Sequence, residues 1–337
     1  MADTIASIPP FLAAKLTAQY GEAVAASIAK GYTDACDRPV TLRANTLKAT
    51  AGEVASALTA AGIGFSRALW YDDAFVLYDV RERAVWDLDI YREGGVYLQS
   101  LSSMLPPLLL GARPGMDVLD MCAAPGGKTS QIAALTGGGA HLTACELNDP
   151  RAEKLTYNLD KLGAANVQVM RTDARRLDEF FRFDTVLLDA PCTGSGTLRA
   201  GDERAEGRIT EKLLAKVTRS QRALLDRALT VLKPGGTLVY STCSVLAEEN
   251  ERQVEATLAL KRHRDCTVAP IVLGALPDEP ETTNGKKGDR PQPVALPGAD
   301  AGDFAIPTLP CDLPGALAVA PTRDFEGFFA CVIRKRA

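Results

Sequence analysis

The sequence predicts an α/β protein whose main body is a doubly wound, mostly parallel sheet, with a small α+β domain ahead of it. Three observations carry this expectation. From about Gly94 onward, short apolar runs alternate with amphipathic helical stretches, the pattern of consecutive βαβ units. The first of these runs ends in a turn of small residues, Cys122-Ala123-Ala124-Pro125-Gly126-Gly127-Lys128, which opens a helix. Upstream, residues 1–95 mix helical and alternating patterns without that regularity, so the division is expected between 1–95 and 96–337.

Within 1–95, apolar periodicity predicts a helix over 11–29, a strand over 40–45 and a helix over 51–61 stopped by Gly62, then strands over 66–71 and 74–79. Within 96–337, strands are expected at 117–121, 141–146, 167–172, 184–189 and 236–242. Helices fill the gaps at 129–135, 151–162, 211–232 and 247–263. The most apolar run, 105–110, is short and holds Pro106 and Pro107. Residues 270–321 carry 10 of the 20 prolines and predict a long irregular segment. A final strand over 328–334 is expected to close the sheet edge.

Composition narrows the chemistry. A chain of 337 residues with 46% hydrophobic and 24% charged residues buries a full core and is not generally disordered. No apolar run reaches the ~18 residues of a membrane span, and the mean hydropathy is -0.02. The start, Met1-Ala2-Asp3-Thr4, lacks the basic and apolar regions of a signal peptide, so a cytoplasmic protein is expected. The eight cysteines contain no pair closer than Cys311 and Cys331, 20 residues apart; without a C-x-x-C pair, no metal site is expected. With only His141 and His263, the usual routes to a histidine base or a Ser-His-Asp triad are mostly closed. At a net charge of -4, a nucleic-acid partner has to be held by a local basic patch.

The turn from Cys122 to Lys128 lets backbone approach a ligand closely, and the helix behind it offers free N–H groups. Glu146, ending the second strand, falls about 20 residues later, where doubly wound folds place a ribose-binding carboxylate. Asp173 ends the third strand in the same way. Together they outline a crevice for a nucleotide-like cofactor. The fourth strand runs into Asp189-Ala190-Pro191-Cys192 and the fifth into Ser241-Thr242-Cys243-Ser244. As neighbours about 4.8 Å apart in the doubly wound order, these strands put two thiols at one edge beside the crevice. Cys36, Cys145, Cys266, Cys311 and Cys331 read instead as small buried hydrophobes.

These residues resemble the RsmB/NSUN-type RNA cytosine-5 methyltransferases, which use S-adenosyl-L-methionine. The resemblance runs from about Arg38 to the C-terminus. It takes in Arg43-Ala44-Asn45-Thr46-Leu47-Lys48, Tyr97 to Ser103, the Cys122 to Lys128 turn, the proline-cysteine and threonine-cysteine motifs, Glu248-Glu249-Asn250-Glu251, and Gly327-Phe328-Phe329. It implies a Rossmann-like methyltransferase sheet. Cys122, Ala123, Ala124, Pro125, Gly126, Gly127, Lys128, Glu146, Asp173 and Asp189 would then bind the cofactor, with Cys243 as nucleophile and Cys192 assisting product release. That chemistry suits the residue types: C5 of cytosine is too poor a nucleophile until a thiolate adds at C6 and loads it with electron density. Asp189 would hydrogen-bond the cytosine ring.

The implied substrate is structured RNA, rRNA ahead of tRNA, with its target base unpaired or swung out. Neither DNA nor a membrane is expected as a partner, and the chain is expected to act as a monomer. A non-catalytic RNA-binding or ribosome-assembly factor on the same fold is the competing reading; the two intact thiols count against it. For the basic patch, Lys212, Lys216 and Arg219 share one helix face, and Arg175, Arg176, Arg199, Arg204, Arg208 and Arg334-Lys335-Arg336 extend a candidate track.

Overall fold

The computed structural model describes residues 8–202, 208–276 and 292–337. Helix α1 (Pro10–Asp34) outruns the expected span but is broken at Gly21, whose φ of 75° and ψ of 168° leave the helical region. Its apolar face (Leu12, Leu16, Ile28) packs on Leu198, Leu214 and Leu246, so the first helix packs across the division expected at 95/96. Strand β1 (Val40–Ala44) follows, then α2 (Ala51–Ala60), started by a reciprocal capping box between Thr50 and Glu53. Strands β2 (Phe65–Arg67) and β3 (Ala74–Leu77), two short helices α3 (Glu82–Trp86) and α4 (Asp89–Arg92), and β4 (Val96–Leu98) complete an antiparallel sheet of order β2-β3-β1-β4.

Helix α5 (Leu101–Leu110) forms straight through Pro106 and Pro107, where the sequence had suggested only a short apolar run. A proline inside a helix costs about 3 kcal/mol. Burying Leu101, Met104, Leu105, Leu109 and Leu110, each worth about 1.5–3 kcal/mol, offsets that cost. Ser100 caps the start by accepting from Ser103 N, and Gly111 ends the helix at a φ of 66°.

The main sheet begins with β5 (Asp117–Asp120), α6 (Gly127–Leu135), β6 (His141–Glu146), α7 (Asp149–Leu162) and β7 (Val167–Arg171). It continues through β8 (Phe183–Asp189), α8 (Glu211–Val231), β9 (Leu232–Thr242), α9 (Glu251–Leu258) and β10 (Cys266–Ala269). Helix α9 starts four residues later than expected, because the residues after Cys243 spend their polar groups on a side-chain network rather than on a helix. Within 270–321, β11 (Ile271–Leu273) pairs with β12 (Val294–Leu296), and β13 (Leu317–Val319) pairs with β14 (Phe328–Lys335). The middle of that segment, 277–291, lies outside the described residues.

The sheet order is β7-β6-β5-β8-β9-β14-β10, parallel from β7 through β9 and antiparallel where β14 joins. The C-terminal strand therefore does not close the edge as expected. It lies inside, between β9 and β10, and its first six residues are all buried. A strand apolar on both faces gains nothing at an edge, where one flank would be wet. No helix among the described residues is long and apolar enough to cross a membrane.

Candidate active site

Parallel pairing aligns the carboxyl ends of β5, β6, β8 and β9 on one edge, with Asp120 level with Leu187 and Asp189 level with Ser241. The small-residue turn leaves β5 here and enters α6 through Gly126, whose φ of 107° favours glycine. Arg43 grips this turn from the other sheet. Fully buried, it donates from Nη2 to Gly127 O (3.1 Å) and Ser130 Oγ (2.7 Å) and from Nε to Gln99 Oε1 (2.9 Å).

Lys128 leaves the turn and reaches across the site. Its Nζ lies 2.7 Å from Asp189 Oδ2 and 2.8 Å from Ser103 Oγ. Burial works to lower its pKa, but the Asp189 carboxylate outweighs this and raises it, so the lysine is a fixed cation. Asp189 Oδ1 accepts from Ser241 Oγ at 2.8 Å, which orients the carboxylate on both sides. Asp120, fully buried, accepts from Thr129 Oγ1 at 2.7 Å; burial pushes its carboxyl up to about 6.

The two thiols expected to meet do so: Cys192 Sγ and Cys243 Sγ are 3.1 Å apart. The hydrogen bond to Cys243 and then burial push the Cys192 thiol well up. Cys243 opens onto a cleft of about 760 Å³ whose walls also include Asp120, the turn, Lys128 and Asp189, whereas Cys192 is not on that wall. Burial, with Asp120 next, also drives the Cys122 thiol well up, so it stays a neutral wall of the crevice. Among the remaining cysteines, Cys145, Cys266 and Cys331 are buried, but Cys311 is only half-buried and Cys36 is exposed at the turn closing α1, contrary to their expected place in the core.

Glu146 and Asp173 flank a second hollow of about 300 Å³ that meets the first at Cys122. Glu146 is buried and accepts from Asn148 N (2.9 Å), with Arg151 Nη1 3.2 Å away. Asp173 is gripped by Arg175, which donates from N, Nε and Nη2 at 2.7–3.0 Å and holds the carboxyl below its usual range. Two carboxylates at one hollow suit a ligand rich in hydroxyl and amine donors. Together the turn, Glu146, Asp173 and Asp189 fit an adenosine-bearing cofactor with a charged amino-acid end.

Residues not singled out from sequence complete the site. Ser103, Ser241 and Glu249 lay inside quoted motifs and Asp120 on the first strand expected in the main body, yet only the folded chain shows which partner each takes. Of the candidate basic track, Arg199 lines the cleft, joined by Arg38, Arg81 and Arg83. Lys212, Lys216 and Arg219 are not on that wall, and Arg204 lies outside the described residues.

The comparisons with known proteins bear on the family and the fold. The family described as 16S rRNA methyltransferase RsmB/F matches residues 107–330, and an RsmF/B-like ferredoxin-like domain matches residues 8–81. Ribosomal RNA small subunit methyltransferase F of Shewanella piezotolerans is 34% identical over 301 residues, 87% of this chain and 57% of its own length. Its counterpart from Shewanella sp. strain MR-7 is 37% identical over 65% of this chain and 47% of its own. The chain thus spans about half the length of the curated relatives it matches. A methyltransferase homolog from Pyrococcus horikoshii superposes with a TM-score of 0.75 at 30% identity, covering 99% of both chains. A doubly wound sheet with the crevice at its carboxyl edge, and a family match over more than half of the sequence, make this chain a member of the RsmB/F family of rRNA methyltransferases.

Proposed function

We propose that this protein transfers a methyl group from S-adenosyl-L-methionine to C5 of a cytosine in structured RNA, rRNA ahead of tRNA, through a covalent adduct between Cys243 and C6. The observation that carries this reading is the pair of thiols in contact, with Cys243 alone on the cleft wall beside Asp189 and Lys128. The turn from Cys122 to Lys128, Glu146, Asp173 and Asp189 hold the cofactor, which supplies an electrophilic methyl group. Cys243 attacks C6 as the thiolate, the form in which cysteine is a nucleophile. The electron pair displaced onto C5 would then take up the methyl group, the S–CH3 bond pair returning to the cofactor's sulfur, which would leave as a neutral thioether.

Asp189 already accepts from Lys128 and Ser241, so it serves as an acceptor, toward the exocyclic amine of the base. The Lys128 ammonium supplies the positive charge that the electron-rich ring needs. Bonding of Cys243 to C6 removes the partner that most strongly holds the Cys192 thiol up. Cys192, acting as the thiolate, takes the C5 proton and becomes the thiol, and the C5 electrons expel the Cys243 thiolate. RNA enters over Arg81, Arg83 and Arg199, and a ribosomal RNA substrate goes with a cytoplasmic reaction. A non-catalytic assembly factor on the same fold has no use for two thiols in contact.

A denaturing gel with cofactor and a 16S rRNA transcript tests this. Cys192→Ala is expected to give a slow-migrating protein–RNA band, and Cys243→Ala none. A band that requires Cys192 reverses the two roles. Full turnover by Cys243→Ala defeats the covalent mechanism.

A further inference from the structure

We propose that Glu249 is a positioning residue that holds the two thiols in register for the second half of the reaction. The inference rests on the two-thiol reading above. Glu249 is fully buried and accepts four hydrogen bonds from groups brought in by three segments. Its Oε1 takes Thr193 N at 2.8 Å and Gln221 Nε2 at 3.1 Å; its Oε2 takes Thr193 Oγ1 at 2.6 Å and Ser244 Oγ at 2.5 Å.

Thr193 follows Cys192 directly, and Ser244 follows Cys243 directly. One carboxylate therefore clamps the residue after each thiol, although the two loops are 51 positions apart in the chain. The clamp is itself fixed, since Tyr240 Oη donates to Glu249 O at 2.5 Å. Two direct ties, Ser195 Oγ to Ser244 Oγ at 2.9 Å and Gly196 N to Cys243 O at 2.9 Å, join the same loops at their far sides. Glu249 makes no hydrogen bond to either sulfur, so it acts through Thr193 and Ser244.

A buried carboxylate is a costly brace where only packing is needed, because apolar side chains fill such space at lower cost. What it provides is four fixed acceptor directions at one point, which sets a distance rather than a volume. Its Oε2 side meets two hydroxyl donors. Glu249→Gln places an N–H₂ against them, so both hydroxyls can stay tied only by turning round to accept, which weakens the clamp and disturbs their other bonds.

The test has two arms. In the first, diamide oxidises the free protein, joining Cys192 and Cys243 as a disulfide while the diazene takes up both hydrogens, and peptide mass spectrometry follows closure. Wild type is expected to close readily and Glu249→Gln at least ~10-fold more slowly, the scale of effect of a misplaced reacting atom. Glu249→Asp is expected to recover part of the rate. In the second arm, Glu249→Gln incubated with cofactor and 16S rRNA transcript is expected to accumulate the protein–RNA adduct as Cys192→Ala does, because the resolving thiol is present but out of place.

Closure at the wild-type rate in Glu249→Gln overturns the proposal. If wild type forms neither adduct nor methylated RNA, the proposed function falls while the first arm still decides the role of Glu249. If Glu249→Gln does not fold, Thr193→Val, which removes the Oγ1 tie to Glu249 together with the long bond from Ser195 N, replaces it in both arms under the same criteria.

Discussion

Asp120 shows how burial writes a pH dependence into a single side chain. Its carboxyl titrates at about 6 in the folded protein against an ordinary 3.8, chiefly because burial disfavours the charge, while the bond from Thr129 works the other way. The folded chain keeps a proton that the unfolded chain gives up over that interval. The contribution of Asp120 to stability is therefore complete below pH 3.8 and is lost as the pH rises through about 6. A shift of this size corresponds to about 3 kcal/mol. Asp120→Asn keeps the shape and removes the titration. Its stability relative to wild type should rise by up to ~3 kcal/mol between pH 3.5 and pH 7 in urea unfolding. A constant difference across that range would show that Asp120 titrates normally.

The two thiol loops are held by backbone contacts between elements. Gly196, just past Cys192, meets Gly327 at the foot of β14, where Gly327 N donates to Gly196 O at 2.8 Å. A Cβ on Gly196 would lie 1.9 Å from Gly327 O, and backbone on both sides leaves nothing to swing away. The glycine before Phe328 and Phe329 thus docks the Cys192 loop against the last strand. Gly196→Ala is expected to cost about 1–3 kcal/mol, the usual penalty for forcing atoms into a packed interior. It should also slow resolution of the RNA adduct more than its formation. Thermal unfolding with single-turnover gels checks both; an unchanged midpoint would mean that the two glycines part without cost.

Across the whole molecule, the small antiparallel sheet completes the site. Arg43 on β1 is the largest side chain wholly out of solvent among the described residues, and its planar fork is shared between Gly127 and Ser130 of the main body and Gln99, just past β4. The same side of the chain supplies Arg38, Arg81 and Arg83 to the cleft above Cys243. Arg81→Glu combined with Arg83→Glu should weaken binding of a 16S rRNA transcript and lower its salt slope by ~1.4–1.8, at ~0.7–0.9 per lost phosphate contact. Cofactor affinity should not change. The pair Lys212→Glu and Lys216→Glu on α8 serves as the comparison. Loss of salt slope in that pair alone would move the RNA path onto the helix.

Much of this was already legible in the chain, for a physical reason. Strand and helix periods, capping residues and the Cys122 to Lys128 turn are local, so the sequence by itself determined the βαβ succession, the crevice at the strand ends, and Glu146, Asp173, Asp189, Cys192 and Cys243 as its candidate residues. What the tertiary structure alone decided involves partners far apart in the chain. Burial of both faces moved β14 inward between β9 and β10, and core packing carried α5 through two prolines. Lys128 found Asp189, Arg43 found the glycine turn, and Glu249 found both thiol loops. No local pattern records these pairings, because each is selected by the cost of leaving a buried polar group without a partner once the chain has closed around it.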